Sequence, residues 1–258
     1  MKTRYLGVDE RTEALKDRLD SGSVEALEFQ SKFDLSLVYH ENALEGIVFT
    51  SAELLGALDP SAEASDASQV PVFAEIRNHK AALDLVRAEA RNKKSKISVT
   101  LMKKLYEMLG AGVAGRDKAV YRKDMPLHRS YFHEIAPPTK IPSLLEKLVD
   151  ATTTAEYREN HALNQAATVQ WLFMQAFPFS ENSGKVARLL STFVLLKRGY
   201  LPVIIHAADR QRYYDALRLP VASLRHLLLE AMENSLDNAF KFFKAHEPVV
   251  RLPLASGE

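Results

Sequence analysis

The sequence contains no cysteine, which excludes disulfide bonds and thiolate metal sites within the chain. It also lacks long apolar runs, because no stretch approaches the ~20 consecutive apolar residues of a membrane-spanning helix. The start of the chain, Met1 to Tyr5, leads into charged sequence and not into the apolar segment of a secretory signal. From these absences we expect a cytoplasmic protein with no membrane partner.

An excess of one charge is also missing. Lysine and arginine number 34 against 33 aspartates and glutamates, which gives a formal net charge of +1. This balance provides no general attraction to nucleic acid or to an anionic membrane. Basic residues form no clustered stripe of the kind that binds phosphate backbones. We therefore expect no nucleic-acid partner.

The chain can bury one sizeable core with a small extension, since 47% of its 258 residues are hydrophobic. Apolar residues recur at three- and four-residue steps in most segments, which predicts amphipathic helices. Residues 115–140 differ, because aromatic and β-branched residues interrupted by prolines favour extended chain there. The pattern predicts a mainly α-helical bundle with a minor β element.

The stretch from Phe177 to Arg188 carries the clearest functional pattern. It begins as a polar, turn-prone loop and continues into a helix with one apolar face. Backbone N–H groups at such a helix start lack partners, and the helix dipole favours an anion there. Lys185 and Arg188 add two cations, and Glu181 could hold a divalent metal. This predicts a phosphate or nucleotide site; the alternative is a helix start capped by Ser183 with solvated charges.

The same stretch resembles the signature of the Fic (Fido) family. That signature is His-Pro-Phe, two residues of which the second is acidic, then Gly-Asn-Gly-Arg, two residues and Arg. The positions that match are Pro178, Phe179, Glu181, Gly184 and Arg188. The positions that depart are Phe177 for the catalytic His, Asn182 for a Gly, Ser183 for the Asn and Lys185 for the first Arg.

The resemblance implies a Fic-fold helical bundle with a small β-hairpin flap at residues 115–140. The family transfers AMP from ATP, with Mg²⁺, to a hydroxyl of a target protein, whose segment binds the flap as an added strand. ATP and Mg²⁺ are therefore the implied cofactors. A protein segment and a nucleotide are the implied partners, and a homodimer is compatible with the resemblance. By position, the metal residue is Glu181, and the nucleotide residues are Asn182, Ser183, Gly184, Lys185, Arg188 and Tyr214.

Residues 36–46 resemble the inhibitory helix that precedes the core in many Fic proteins, including its ending Asn-x-x-Glu-Gly. The resemblance implies that Glu45 pairs with Arg188 and blocks productive binding of the nucleotide. Glu41 departs from the family pattern, which has Ser or Thr four residues before the inhibitory Glu. The alternative for this segment is a helix end with a solvated glutamate and no inhibitory role.

The resemblance also divides the chain into three parts. Residues 1–70 are expected to form an N-terminal helical extension that includes the inhibitory helix. Residues 71–220 are expected to form a Fic-like core, and residues 221–258 a C-terminal helix and tail. Local signals within the extension agree, since Gly46 suits the end of one helix and Thr50 or Ser51 suits the cap of the next.

Phe177 decides the functional expectation. Its ring has no lone pair that could accept a proton, and general-base catalysis is typically worth ~10²–10⁴-fold. We expect a degenerate nucleotide-binding protein that is inactive, or nearly so, as an AMP-transferase and that acts by binding a nucleotide or a protein segment. One alternative is an active nucleotidyl transferase or deAMPylase with a non-standard base, for which the candidates are His128, His133, His206 and the adjacent Glu181. The other is a helical interaction scaffold with a relic site.

Overall fold

The structure is a computed structural model that describes residues 2–113, 115–126 and 133–246. In this part of the chain there are eleven α-helices: α1 (Lys2–Asp20), α2 (Val24–Leu44), α3 (Ser51–Leu58), α4 (Gln69–Arg91), α5 (Val99–Leu109), α6 (Ile141–Ala151), α7 (Ala155–Glu159), α8 (Ala162–Ala176), α9 (Ser183–Lys197), α10 (Arg210–Arg218) and α11 (Val221–Ala245). Short 3-10 turns lie at Pro138–Lys140 and Ala207–Asp209.

The predicted fold class, a mainly α-helical bundle, is confirmed. The predicted β-hairpin flap is not seen: the described residues between 115 and 140 form no strand. The centre of that segment, residues 127–132, lies outside the described residues. The flap therefore stays a prediction.

Local chemistry explains where the N-terminal helices begin and end. Gly22 has φ 64° between α1 and α2, and Ser23 caps α2 by accepting from Ala26 N–H. Thr50 caps α3 in a capping box with Glu53, as the sequence predicted. The segment predicted as an inhibitory helix, residues 36–46, is the C-terminal part of the longer helix α2.

Helix α9 lies at the centre of the bundle and packs against α4, α5 and α8. Every residue from Ser183 to Leu195 is buried, including the polar residues Lys185, Arg188, Ser191 and Thr192. The apolar face that the sequence predicted is buried, and the polar sides of the helix are covered as well. Buried charges on such a helix require partners within the protein.

One apolar core joins the helices, with buried members from Val8 in α1 to Phe243 in α11. A smaller cluster around Phe73 packs α3 and the end of α2 against α4. Both clusters hold α2 in place beside α4, and this fixes the side chains of α2 against the start of α9. Among the described residues, no helix combines the length and the apolar character needed to cross a bilayer.

Candidate nucleotide site

The segment that joins α8 to α9 turns twice through left-handed backbone. Phe177 ends α8 with φ 42° and ψ 65°, and its N–H donates to Phe173 O at 2.8 Å. Asn182 precedes α9 with φ 56°. Within the described chain, these are the non-glycine residues with positive φ. Asn adopts this conformation more readily than most side chains, so the loop is the tight reversal that its polar sequence predicted.

The beginning of this loop is apolar and buried. Phe177 and Phe179 are fully buried, and Phe179 stacks on Tyr106 with ring centroids 4.2 Å apart. Arg122 holds the backbone, because its Nε donates to Phe177 O at 2.7 Å and its main-chain N–H donates to Pro178 O at 2.9 Å. The position of the family's catalytic His is thus a buried phenyl ring, which offers no proton acceptor.

Ser183 closes the loop internally. Its Oγ accepts from Phe179 N–H at 2.9 Å and donates to Phe179 O at 2.8 Å. The alternative prediction that Ser183 caps α9 is wrong, because Asn182 is the N-cap residue and Ser183 is the first helical residue. The Ser183 hydroxyl, predicted to contact a nucleotide, is buried and bonded within the loop.

Arg188 lies in the second turn of α9 and is 3% exposed. It meets two carboxylates of α2: Nε donates to Glu41, and Nη2 donates to Glu45 Oε1 at 3.0 Å. Nη2 also donates to the main-chain carbonyl of Glu41 at 3.1 Å. The expected pair between Glu45 and Arg188 is present in the structure. Glu41, which the sequence marked only as a departure from the family, is a second partner.

Burial and opposite charge together determine the pKa shifts of Glu41 and Arg188. Burial raises the pKa of the Glu41 carboxyl above its ordinary value, and the guanidinium of Arg188 opposes that rise. Burial alone would lower the pKa of Arg188, but Glu41 and Glu45 together raise it well above its ordinary value. The guanidinium of Arg188 is therefore positively charged at every pH at which the protein is folded.

Gly184 provides the space that Glu45 occupies. A Cβ atom at residue 184 would lie 2.0 Å from Glu45 Oε1 and 3.0 Å from Arg188 Nη1. The carboxylate of Glu45 therefore lies against the first turn of α9, where the sequence predicted an anion. An anionic side chain, that of the α2 C-cap residue Glu45, therefore lies beside the first turn of α9 and pairs with Arg188.

The remaining charged residues of the predicted site also have partners. Lys185 Nζ donates to Glu75 Oε1 of α4 at 2.7 Å, and the Lys185 side chain is 2% exposed. Glu181, the predicted metal residue, pairs with Arg116, and their side chains are 50% and 40% exposed. The structure thus brings the motif charges together, but each already faces an opposite charge from the chain itself.

Two polar side chains near these cations were not indicated by the sequence pattern. Asn42 of α2 and His79 of α4 are fully buried, and Asn42 Nδ2 donates to His79 Nδ1 at 3.0 Å. Burial, followed by the charges of Lys185 and Arg188, lowers the pKa of His79 well below its ordinary value. A neutral histidine therefore joins α2 to α4 beside the buried cations.

Tyr214, predicted to contact a nucleotide, lies in α10 and contacts the last turn of α2. It is 1% exposed, and its hydroxyl donates to Leu44 O at 3.2 Å. Arg210 Nε donates to the same carbonyl at 2.9 Å, and its guanidinium lies 5.3 Å from the Tyr214 ring centroid. These contacts hold the last turn of α2, and a nucleotide contact by Tyr214 stays a prediction.

The histidines named as replacement bases differ in position. His133 is 3% exposed, its Nε2 lies 2.9 Å from a backbone carbonyl of α8, and its ring meets Phe177 edge-on at 6.2 Å between centroids. His206 packs instead against His40 of α2, with centroids 4.5 Å apart. His128 lies outside the described residues. Of the two described candidates, His133 is the one beside the position of the lost base.

Comparison with known proteins supports the assignment that the motif suggested. Residues 96–195 match the family model described as Fic/DOC family. The chain is 25% identical over 241 residues to "Protein adenylyltransferase Fic" of Culex quinquefasciatus, covering 91% of this chain and 47% of that protein. It is 26% identical over 206 residues to the protein of the same name from Drosophila willistoni, covering 78% and 40%. The chain thus spans less than half the length of these relatives.

The fold is similar to that of a Fic-domain-containing signaling protein from Bacteroides thetaiotaomicron, with a TM-score of 0.80, 20% identity and coverage of 94% of this chain and 98% of that one. Fic-1 from C. elegans gives a TM-score of 0.78 with 16% identity, covering 93% and 71%. The structural likenesses show the fold, and the family match covers the loop at 177–188 together with most of α9. Residues 96–195 of this chain therefore match the Fic/DOC family, and the described residues have a fold similar to that of solved Fic-domain proteins.

Proposed function

We propose that this chain is inactive, or nearly so, in AMP transfer and that the start of α9 is a regulated ATP-binding site. The observation that supports inactivity is Phe177, a fully buried phenyl ring at the family's catalytic His. Loss of a general base typically costs ~10²–10⁴-fold in rate. The adenylyltransferase names of the relatives describe those proteins, and Phe177 is a departure of this chain from the family signature.

ATP fits the site only after Glu45 withdraws, because a phosphate and the Glu45 carboxylate would both lie against the first turn of α9. Arg188 would then present its planar fork to phosphate oxygens. Lys185 would add a single charge without that fork. These residues support binding of a polyphosphate but supply no group that removes a proton from a hydroxyl.

Mg²⁺ fits beside Glu181, because this ion commonly takes one or two carboxylates together with substrate phosphates. Bound there, it would neutralise phosphate charge. The present partner of Glu181 is Arg116, and both side chains are largely exposed. Separating such a pair costs little, about 0–1 kcal/mol. Glu181 is therefore available to a metal without disturbing the buried side of the loop.

The test of inactivity is incorporation of label from α-labelled ATP with Mg²⁺ into a cell lysate. One of the adenylyltransferase relatives serves as the positive control. We expect wild-type protein to give no more label than Arg188→Ala. Robust transfer by the wild type that is lost in Arg188→Ala would show that the chain is an active transferase. In that case His133→Gln would show whether the histidine beside Phe177 has replaced the base.

Nucleotide binding is tested separately by calorimetry with ATP and ADP at millimolar concentration in the presence of Mg²⁺. We expect binding that Arg188→Ala removes, because Arg188 is the buried cation next to the start of α9. No binding by the wild type, nor by variants that lack the carboxylates of Glu41 and Glu45, would instead support a helical scaffold with a relic site.

We extend the proposal to partners and organisation on the same basis. A protein segment bound beside residues 115–140, a homodimer, a cytoplasmic location and the division at residues 70 and 220 remain predictions from the family resemblance. The buried phenyl ring of Phe177, which cannot accept a proton, supports a role in which the ligand is bound and not converted. A binding protein of this kind needs the phosphate site but not the base.

A further inference from the structure

Glu41 and Glu45 lie one turn apart on α2, so their side chains share a helix face, and both reach Arg188. Glu41 is 6% exposed and binds at Nε, whereas Glu45 binds at Nη2. The guanidinium carries several N–H donors, so each carboxylate accepts from a different nitrogen of one group. The two contacts therefore do not compete.

The charges around Arg188 do not cancel one for one. Lys185 is matched by Glu75 at 2.7 Å, which leaves Glu41 and Glu45 against a single guanidinium. One ionised carboxylate already neutralises Arg188, and a second makes the cluster negative or retains a proton. An incoming phosphate therefore meets a site that is neutral or negative, although it contains two cations.

We propose that Glu41 and Glu45 form a redundant lock on Arg188, in which either carboxylate alone keeps the guanidinium from an incoming phosphate. This inference rests on the proposed ATP site and specifies how that site is regulated. The charges explain the redundancy, since loss of either carboxylate leaves the other in a neutral, buried pair with Arg188. When both are lost, Arg188 carries an uncompensated buried charge that a polyphosphate would satisfy.

The end of α2 is also held by contacts that involve neither carboxylate. The Leu44 carbonyl accepts from Arg210 Nε at 2.9 Å and from the Tyr214 hydroxyl at 3.2 Å. The main-chain carbonyl of Glu41 accepts from Arg188 Nη2 at 3.1 Å. Removing one carboxylate therefore leaves α2 in position, with the other still facing the guanidinium. Release requires a change that acts on both carboxylates together, such as displacement of the last turns of α2.

The first experiment is a double-mutant cycle on ATP binding. Glu41→Gln, Glu45→Gln and the double variant remove charge while keeping side-chain shape, and ATP with Mg²⁺ is titrated into each by calorimetry. We expect each single variant to stay within about threefold of the wild-type Kd and the double variant to bind at least about tenfold more tightly, a strongly non-additive result.

Charge-matched controls are Glu63→Gln and the double variant Glu63→Gln/Glu159→Gln. Both residues are exposed and lie outside α2 and α9, so we expect no change in the Kd for ATP. Circular dichroism checks the fold of every variant. If Glu41→Gln/Glu45→Gln does not fold, Glu41→Ser/Glu45→Gly removes the same charges with smaller side chains.

The second measurement does not depend on nucleotide. Phenylglyoxal modifies accessible guanidinium groups, and peptide mass spectrometry reads the extent of modification at Arg188. We expect slow modification in the wild type and in both single variants. In the double variant we expect the rate to rise by at least about fivefold, because the two locking contacts are coupled.

The two measurements separate failure of the lock from failure of the ATP site. A full gain in ATP binding from Glu45→Gln alone, with no added effect of Glu41→Gln, would overturn the redundancy. Equal modification of Arg188 in a single variant and in the double variant would do the same. If modification rises only in the double variant but no variant binds ATP, the lock stands and the proposed ATP site is wrong.

Discussion

The charged residues on the two sides of the segment 177–188 differ in how deeply their ion pairs are buried. On the inner face, Lys185 and Arg188 are 2% and 3% exposed and pair with carboxylates of α4 and α2. On the outer face, Glu181 and Arg116 pair while 50% and 40% exposed. An exposed pair separates at little cost, whereas loss of one partner of a buried pair is strongly destabilising. The inner face therefore decides whether the site is open or closed.

The largest expected effect is that of Arg188→Met. This substitution leaves Glu41 and Glu45 beside each other without a counter-ion, so we expect the free energy of unfolding to fall by about 3–5 kcal/mol. Urea denaturation at neutral pH measures it. The matched control is Arg212→Met, because Arg212 pairs with Asp209 and Glu230 while 59% exposed, and a change of about 0–1 kcal/mol is expected there. Equal losses in the two variants would remove the distinction between the faces.

A smaller loss is expected from Glu75→Gln. The buried ammonium of Lys185 would keep a hydrogen-bond acceptor but lose its counter-ion, which should cost about 1–3 kcal/mol. The same denaturation experiment applies. Glu28→Gln is the control, since Glu28 pairs with Lys32 at 2.7 Å on the surface of α2, and we expect it to have no measurable effect. An unchanged midpoint in Glu75→Gln would mean that Lys185 does not need its partner.

A third effect concerns His40 of α2, whose ring accepts a hydrogen bond from Ala207 N–H. Burial, with a contribution from His206, lowers the pKa of His40 to about 4. Its pKa in the unfolded chain is near 6.5, so the unfolded state binds more protons between these values. This contribution to stability is complete above pH 6.5 and is lost as the pH falls toward 4. We expect about 1 kcal/mol after allowing for partial exposure.

The variant His40→Asn tests this pH dependence. Asn can still accept from Ala207 N–H, which now donates to His40 Nδ1 at 3.1 Å, but it does not titrate. Unfolding free energies measured from pH 4 to pH 7 should fall less steeply in the variant than in the wild type. If the unfolding free energy of both proteins fell with the same slope against pH, protonation of His40 would not contribute to the pH dependence of stability.

The smallest effect is expected on the outer face. Glu181→Gln and Arg116→Met should each change the free energy of unfolding by less than about 0.5 kcal/mol, because solvent replaces the lost partner. Thermal melts of both variants beside the wild type are sufficient. A loss of more than about 1 kcal/mol in either would show that the outer pair is as structural as the inner ones.

Local sequence signals predicted much of the fold. The helix end at Gly46, the cap at Thr50 and the helix that follows the polar loop are set by residues within a few positions of one another. Periodicity likewise predicted the helical bundle, because apolar spacing reports the face that each helix buries. The resemblance of residues 36–46 to an inhibitory helix led to the expected pair between Glu45 and Arg188, and that pair is present in the structure.

The counter-ions of the site were less predictable. Glu41 lies 147 residues from Arg188, and Glu75 lies 110 residues from Lys185. Such pairs depend on how α2 and α4 pack against α9, which no local pattern specifies. The spacing of Glu41 and Glu45 by four residues was the one signal that both carboxylates face the same side of α2. The extent of burial of α9 was also missed, because it results from packing on all sides.

Gly184 has one more consequence. A hydrogen atom stands there in place of a methyl group, and that small space is what admits the oxygen of Glu45. A single added carbon, as in Gly184→Ala, would act as a steric wedge between α2 and α9. It would push the carboxylate away while leaving every charge in the chain unaltered. Shape alone, at one position, would thus remove one of the two contacts on Arg188, and Glu41 would still hold the guanidinium.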